Sequence, residues 1–490
     1  MRKEDGERAM SLINTVNDKL RNIGAVAHPH VLNSGYDFCG GTPFDPVQTK
    51  TVELLTENPR AYVLNSMGTG KTKAALWSFD YLKRRGAVNK MLVVAPLSTL
   101  RFTWGREIME TVPHYKFGIL HAASKNKRLD ILDDTSVDIY IINHDGVGLM
   151  VHELVSRKDI DVLCIDELAV FRNRSQRTKA LAHLASAKQV VWGMTGSPTP
   201  NAPTDVWNQA KVITPHTVTK FFGQFRDQVM LKVSQFKWVP KKNANEQALR
   251  ALQPNVRYTL DDIMELPSFV SRQQQTQMGT KQASIYRQIK MAAYAEVQNG
   301  NITAANAGAV VTKLLQISLG WVYKSDGSEV KLDGDDRLDA LVDVVQSGSN
   351  KTIVYVPYKH ALQGVVDRLT ADGISTSMID GETPPKERDA IFNAFQKHDD
   401  PIVLAAHPKC VAHGVTLTRA DTIVWFGPMA SAEIYEQANA RIRRVGQKHK
   451  QLFLHFWATS MERRIYSLLT KKIVQQDDLL KLLEDQTDLS

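Results

Sequence analysis

Cysteine is scarce in this chain: Cys39, Cys164 and Cys410 are scattered through 490 residues with no metal-ligand spacing. That excludes a disulfide scaffold and a cysteine-held zinc site, and it fits a reducing compartment. Long apolar runs are missing too, so no segment is expected to span a bilayer and no membrane partner is expected. The opening "MRKEDGERAM" mixes both charge signs without an apolar stretch, which predicts no secretory leader and a cytoplasmic location. Internal repeats and low-complexity tracts are absent as well. What remains is an ordinary composition, 43% hydrophobic and 23% charged, in a chain long enough for two or three separately cored domains. The formal charge of +9 hints at a polyanionic partner, although many basic proteins of this size bind no nucleic acid.

Two halves of the chain each alternate short apolar, β-rich runs with helical patterns. In the first, the runs are "AYVLNS", "MLVVAP", "DIYIIN", "DVLCIDE" and "QVVWGMT"; in the second, "KTIVYVP", "ISTSMID", "PIVLAA", "DTIVWFG" and "QLFLHFW". Continuous apolar strands separated by helix-length segments predict parallel sheets covered by helices, an α/β fold. The segment between the halves lacks the alternation and carries the helical patterns "KQASIYRQIKMAAYAEVQ" and "AVVTKLLQISLG". The expected organisation is an N-terminal extension (1–40), a first lobe (41–202), a helical insertion and bridge (203–330) and a second lobe (331–490).

"VLNSMGTGKTKAALW" reads as a strand, a glycine turn and a helix beginning near Lys71. Gly68 and Gly70 permit the turn and let backbone N–H groups reach phosphate oxygens. Lys71 adds a point charge, and the Thr72 hydroxyl suits Mg²⁺. The strict phosphate-loop pattern would place glycine at position 65, where this chain has Asn65. A chance glycine turn is the bland reading; the flanking strand and helix favour the phosphate loop. Further on, "DVLCIDEL" ends an apolar strand on Asp166-Glu167. With a phosphate loop upstream, Asp166 is placed to hold Mg²⁺ through water and Glu167 to orient or deprotonate the attacking water. Alone, the pair would read equally well as acids capping the next helix.

At this point the chain resembles a family. "MGTGKT", "DEL", "TGSPTPN" and "QANARIRRVGQ" are similar to motifs I, II, III and VI of superfamily 2 helicases, in the Snf2-like branch, and most similar to compact phage-encoded members. The resemblance runs from about Phe44 to Leu469. It implies two RecA-like lobes in tandem with ATP bound between them. The ATP site would comprise Gln48 of "FDPVQ" at the adenine, Met67, Gly68, Thr69, Gly70, Lys71 and Thr72 at the phosphates, and Gly414 of motif V. Arg441 and Arg444 would act as arginine fingers. On a helix, residues three apart share a face, so Arg441 and Arg444 are expected to align toward the phosphates while Arg443 points elsewhere. The competing reading makes all three arginines one basic face. Motif II departs from the family in continuing with Leu168-Ala169, and motif V keeps only Gly414 with Thr416 where asparagine is common.

The resemblance also implies a DNA-stimulated ATPase that moves as a monomer on duplex DNA through backbone contacts. Candidates at predicted strand ends are Ser98, Thr99, Arg101 and Asn143-His144 in the first lobe, and Tyr358, Lys359, Lys409, Thr416 and Thr418 in the second. Each reads equally as a helix cap or a solvated loop. Trp207, Trp238, Trp321 and Trp425 offer stacking surfaces, with packing the favoured reading. "KWVPKKN" in the insertion is either a grip on a second strand or a solvated loop. Two other functions fit the same lobes: a fork-acting unwinding or annealing helicase on DNA or RNA, and a slow nucleotide-dependent switch.

Overall fold

The computed structural model describes residues 31–470, except 201, 235–237, 263–266, 300–301, 303–306, 324–328, 412–414 and 445, with Leu482, Asp485 and Asp488 beyond. In the first lobe the apolar runs form β1 (Arg60–Val63), β2 (Lys90–Ala95), β4 (Ile139–Asn143), β5 (Ile160–Asp166) and β6 (Val190–Met194). Two short strands join them that the alternation does not flag, β3 (Phe117–Ile119) and, after the insertion's β7 (Met230–Lys232) and β8 (Trp238–Pro240), β9 (Asn255–Val256). The sheet order is β3-β4-β2-β5-β6-β1-β9, and every pairing is parallel.

The second sheet repeats the design. Its order is β10-β17-β16-β13-β15-β14, again parallel throughout. Its strands are β10 (Phe269–Gln275), then, beyond the β11–β12 hairpin (Trp321–Tyr323 with Glu329–Lys331), β13 (Lys351–Tyr355), β14 (Thr376–Ile379), β15 (Val403–Ala406), β16 (Ala420–Trp425) and β17 (Gln451–Trp457). β10 carries "FVSRQQQ", is largely exposed at the sheet edge, and so lacks the apolar signature of a central strand. The chain therefore leaves one sheet at β9 and enters the other at β10. Each sheet is packed on both faces, by one pair of apolar clusters in the first lobe and another pair in the second. These are two RecA-like lobes.

The residues between β6 and β13 are mostly helical, as expected. Helices Val206–Ile213, Phe222–Val229 and Ala244–Ala251 pack on the first lobe with the antiparallel β7–β8 hairpin. Thr280–Gln298 and Ala307–Ser318 pack on the second.

One buried ion pair ties the second lobe together. Arg337 Nη1 and Nη2 donate to Glu462 Oε1 and Oε2 at 2.8 and 2.9 Å, and Glu462 is fully buried. Glu462 also accepts the Ala458 N–H at 2.7 Å, so it fixes the entry to helix Ser460–Thr470. Removing one partner strands the other charge in the core. Glu462→Ala is therefore expected to cost about 3–5 kcal/mol in urea unfolding. A loss under about 1 kcal/mol, the range of a surface pair, would show that water reaches Arg337.

Candidate active site

β1 runs into the phosphate loop, and helix Lys71–Arg84 begins where that loop ends. Gly68 and Gly70 have φ of +80° and +75°, the left-handed region that side chains disfavour. At Gly70 a Cβ would lie 2.0 Å from Gln48 Nε2, so a side chain there would displace Gln48 as well as strain the backbone. Gln48 is buried: its Oε1 accepts the Phe44 N–H at 2.8 Å and its Nε2 donates to Gly70 O at 3.4 Å. The residue expected at the adenine thus also holds the loop from beneath. Met67 and Thr72 line the cleft, while Thr69 is buried with its hydroxyl on Ser66 O.

Asn65 explains the departure from the strict loop pattern. Its Nδ2 donates to Thr51 Oγ1 at 2.9 Å, and its Oδ1 accepts the Tyr258 N–H at 2.9 Å. A glycine there could not tie the loop both to helix Val47–Glu57 and to the segment after β9. Only contacts distant in sequence reveal that role.

Lys71 Nζ curls over the loop and donates to Asn65 O and Ser66 O at 2.8 and 3.0 Å. Opposite it, Asp166 ends β5, its Oδ2 taking the Trp104 indole N–H at 3.0 Å and its Oδ1 the Glu167 N–H at 3.1 Å. Trp104 ends "VVAPLSTLRFTW", a segment the resemblance includes as motif Ia, but its hold on Asp166 follows only from where the helical turns after β2 land. His144 Nε2 lies 2.9 Å from Asp166 O, and burial pushes its imidazole down to about 4, so it is neutral at pH 7. Glu167 is, among the described residues, the one non-glycine with positive φ, at 53°, a strained turn that aims its carboxylate into the cleft. Burial, with Asp166 adding repulsion and Lys71 opposing both, pushes the Glu167 carboxyl up to about 7. Burial likewise raises Asp166 and lowers Lys71, each partly offset by the other's charge.

The second lobe supplies the arginines, though not from a helix. Helix Ala432–Asn439 stops before them, and Arg441 to Arg444 lie in the turns that follow. The reason is visible at the helix end. Arg441 Nε donates to Gln437 O at 2.8 Å, Tyr355 Oη to Ala438 O at 3.0 Å, and Arg444 Nε to Ala440 O at 3.1 Å. Side chains satisfy the terminal carbonyls, so the backbone can turn away. The helical-face argument fails, yet the separation it aimed at exists. Arg441 and Arg444 both line the cleft, whereas the Arg443 guanidinium sits 4.5 Å above the Phe269 ring on β10. Arg441 is buried and reaches Met67 Sδ across the cleft at 3.7 Å; burial lowers its guanidinium to about 10, so it stays charged at neutral pH. Arg444 Nη1 donates to Thr416 Oγ1 at 3.0 Å, and its Cγ lies 3.3 Å from where a Gly68 Cβ would stand.

The cleft encloses about 840 Å³ and is lined by seven lysines and arginines against five acids, a positive surplus suited to phosphates. Gly414 lies outside the described residues. The donor set fits a magnesium nucleotide: backbone N–H groups, Lys71 and two guanidiniums for the phosphates, Thr72 and Asp166 for the cation.

A second space of about 1920 Å³ runs between the lobes beside the first. Ser98, Arg101, Asn143 and His144, four of the strand-end candidates, line it. Other candidates lie elsewhere. Thr99 is buried, its hydroxyl on Pro96 O, and both it and Thr416 line the nucleotide cleft instead. Tyr358 packs against both second-lobe clusters, and Lys359 Nζ pairs with Glu382 Oε2 at 2.5 Å. Lys409 is exposed beside the groove-lining Cys410, while the Thr418 hydroxyl accepts from Gln396 Nε2 at 3.1 Å on another surface. Lys386 and Arg388 line the groove from the second lobe and were missed; they sit within the "IDGETPPKERDAIFNAF" segment the resemblance includes. Trp425 is fully buried, and Trp207 and Trp321 are nearly so; Trp238 is half-buried beneath the Arg226 guanidinium at 3.8 Å.

Two RecA-like lobes, a phosphate loop on one and paired arginines on the other define a helicase-like ATPase. The chain belongs to the SNF2-related family: the SNF2-related domain matches residues 53–319, and the helicase conserved C-terminal domain matches residues 336–446. It is 26% identical over 439 residues to protein p41 of Acyrthosiphon pisum secondary endosymbiont phage 1, covering 84% of this chain and 91% of that one. It is 24% identical over 414 residues to a Xenopus laevis SWI/SNF-related matrix-associated actin-dependent regulator of chromatin subfamily A-like protein 1, covering 80% of this chain but 39% of the relative. The human DNA annealing helicase and endonuclease ZRANB3 is 21% identical over 424 residues, with 80% of this chain and 36% of that one covered. The Sulfolobus solfataricus SWI2/SNF2 ATPase core in complex with dsDNA aligns over 92% of this chain and 95% of that one, at 20% identity and a TM-score of 0.43. No described helix is long and apolar enough to cross a membrane.

Proposed function

We propose that this chain is an ATP-dependent translocase on duplex DNA. The observation that carries the reading is shared lining: Arg101, Thr103, Glu167, Asp389, Phe392 and Val415 border both the nucleotide cleft and the groove. Lobe closure that brings Arg441 and Arg444 toward Lys71 must therefore reshape the groove, which is the coupling a stepping motor needs.

Within the cleft, the loop N–H groups and Lys71 bind the β and γ phosphates, and Gln48 keeps the loop in register. Mg²⁺, held by Thr72 and Asp166, would neutralise developing phosphate charge. Glu167 orients the attacking water and draws its proton, while Trp104 holds Asp166 in place. The two guanidiniums stabilise charge on the transferring group from the opposite lobe, in cis, so a monomer suffices. Along the groove, Ser98, Arg101, Asn143, Lys386 and Arg388 take backbone phosphates and read no sequence.

ATP hydrolysis measured with single-stranded, double-stranded and forked DNA and with RNA tests the partner. Stimulation is expected with duplex DNA, and binding should weaken steeply as salt rises because phosphate contacts release counterions. Stimulation by RNA alone would overturn the DNA assignment. The alternative, an unwinding or annealing helicase, draws support from the name of the human relative; processive separation of a plain duplex would favour it.

A further inference from the structure

The insertion holds a surface that neither the cleft nor the groove uses. Residues 219–242 carry six lysines and arginines against a single acid, Asp227, a surplus of five within a chain whose total is +9. The segment comprises helix Phe222–Val229 and the β7–β8 hairpin. Lys220, Lys232 and Lys242 are exposed. Among them stand large apolar side chains also facing solvent: Phe221 at 61%, Leu231 at 55% and Val233 at 57% exposure.

Ring contacts and hydrogen bonds tie the described part of this unit together. The Trp207 ring meets Phe222 edge-on at 5.7 Å, and its Nε1 donates to Thr219 O at 3.0 Å. Arg226 stacks on Trp238 at 3.8 Å while pairing with Asp227 at 3.1 Å, and Lys241 Nζ donates to Asp227 O at 2.6 Å. The lone acid is thus occupied, and the exposed Lys220 and Lys232 ammoniums lie 5.5 and 6.0 Å from the Phe221 and Trp238 rings, where no carboxylate of the segment neutralises them. Helix Val206–Ile213 carries this unit against the turn Leu168–Phe171, whose Val170 lines the groove. Through that helix the basic unit is joined to the first-lobe wall of the groove.

We infer that this hairpin is a second duplex-DNA contact, its lysines on backbone phosphates beyond the groove and its exposed apolar side chains against the sugar edges. The inference rests on the translocase reading, and it assigns the hairpin to the duplex ahead of or behind the motor. A surface lysine contributes to affinity through released counterions, so the contact is readable from salt dependence even where affinity alone is ambiguous.

The test compares the full chain with a Lys220→Ala/Lys232→Ala/Lys242→Ala variant and with its triple lysine-to-arginine counterpart, using duplex DNA over a salt series. The alanine variant should lower the slope of log Kd against log salt by about 2.7, at roughly 0.9 per phosphate contact. The arginine variant should keep the wild-type slope, which ties the loss to the positive charge at these three positions. Equal slopes for all three, with the wild type still binding DNA, would overturn the hairpin contact and leave the translocase reading standing. A wild type that binds no DNA would overturn both. Lysine-dependent binding to phosphatidylserine vesicles, with the DNA slope unchanged, would assign the surface to lipid and overturn the inference.

Discussion

Lys71→Ala is expected to abolish ATP hydrolysis and weaken nucleotide binding, whereas Glu167→Gln should stop hydrolysis yet leave ATP bound. The difference follows from position. Lys71 is anchored at 2.8 and 3.0 Å to the loop carbonyls, where only its charge can meet the β and γ phosphates. Glu167 follows β5 on the same lobe and makes none of the phosphate-binding contacts assigned to the loop; its carboxylate serves the water. Filter binding and single-turnover hydrolysis separate the two outcomes. The pH profile adds a sign. A base raised to about 7 is protonated on the acid side, so kcat/KM should climb with pH and level off above that value. Wild-type hydrolysis in both variants would remove the site assignment, and a profile flat from acid to neutral pH would remove Glu167 as the base.

Arg444→Ala should cut turnover roughly a thousandfold or more with ATP binding largely kept, the usual cost of losing an arginine finger. Arg443→Ala should leave the chemistry nearly intact, because its guanidinium lies over Phe269, outside the cleft. Arg441 is expected to behave less simply. It is buried, and it holds Gln437 O and Val415 O as well as facing Met67, so Arg441→Ala should lose stability along with turnover. Steady-state rates and nucleotide Kd for the three variants decide it. Equal, modest losses from all three would make the segment a generic basic surface.

Much of this was legible in the residues because central parallel strands are buried on both faces. All ten apolar runs became strands, since nothing but a β-rich apolar segment suits that environment. Of the edge strands, β14 was legible and β3, β9 and β10 were not: β3 is three residues long, β9 two, and the exposed "FVSRQQQ" of β10 resembles a loop. The phosphate loop and Asp166-Glu167 were readable because their chemistry lies in consecutive residues. Asn65, Trp104 and Gln48 were harder, because their partners lie at Tyr258, Asp166 and Gly70, which only the fold brings near. The arginines show the limit of periodicity. A three-residue spacing suggested one helical face, but side chains capping the carbonyls at Gln437 to Ala440 end the helix first. The turns then deliver the same two guanidiniums to the cleft by another route.

Displacement of a third strand from a DNA triplex tests the central claim most directly, because it reports motion along a duplex without requiring the duplex to open. With ATP, the wild-type chain should release the third strand while leaving the underlying duplex paired, and Glu167→Gln should release none. A triplex left intact under conditions where duplex DNA stimulates hydrolysis would contradict translocation and leave a DNA-dependent ATPase switch in its place.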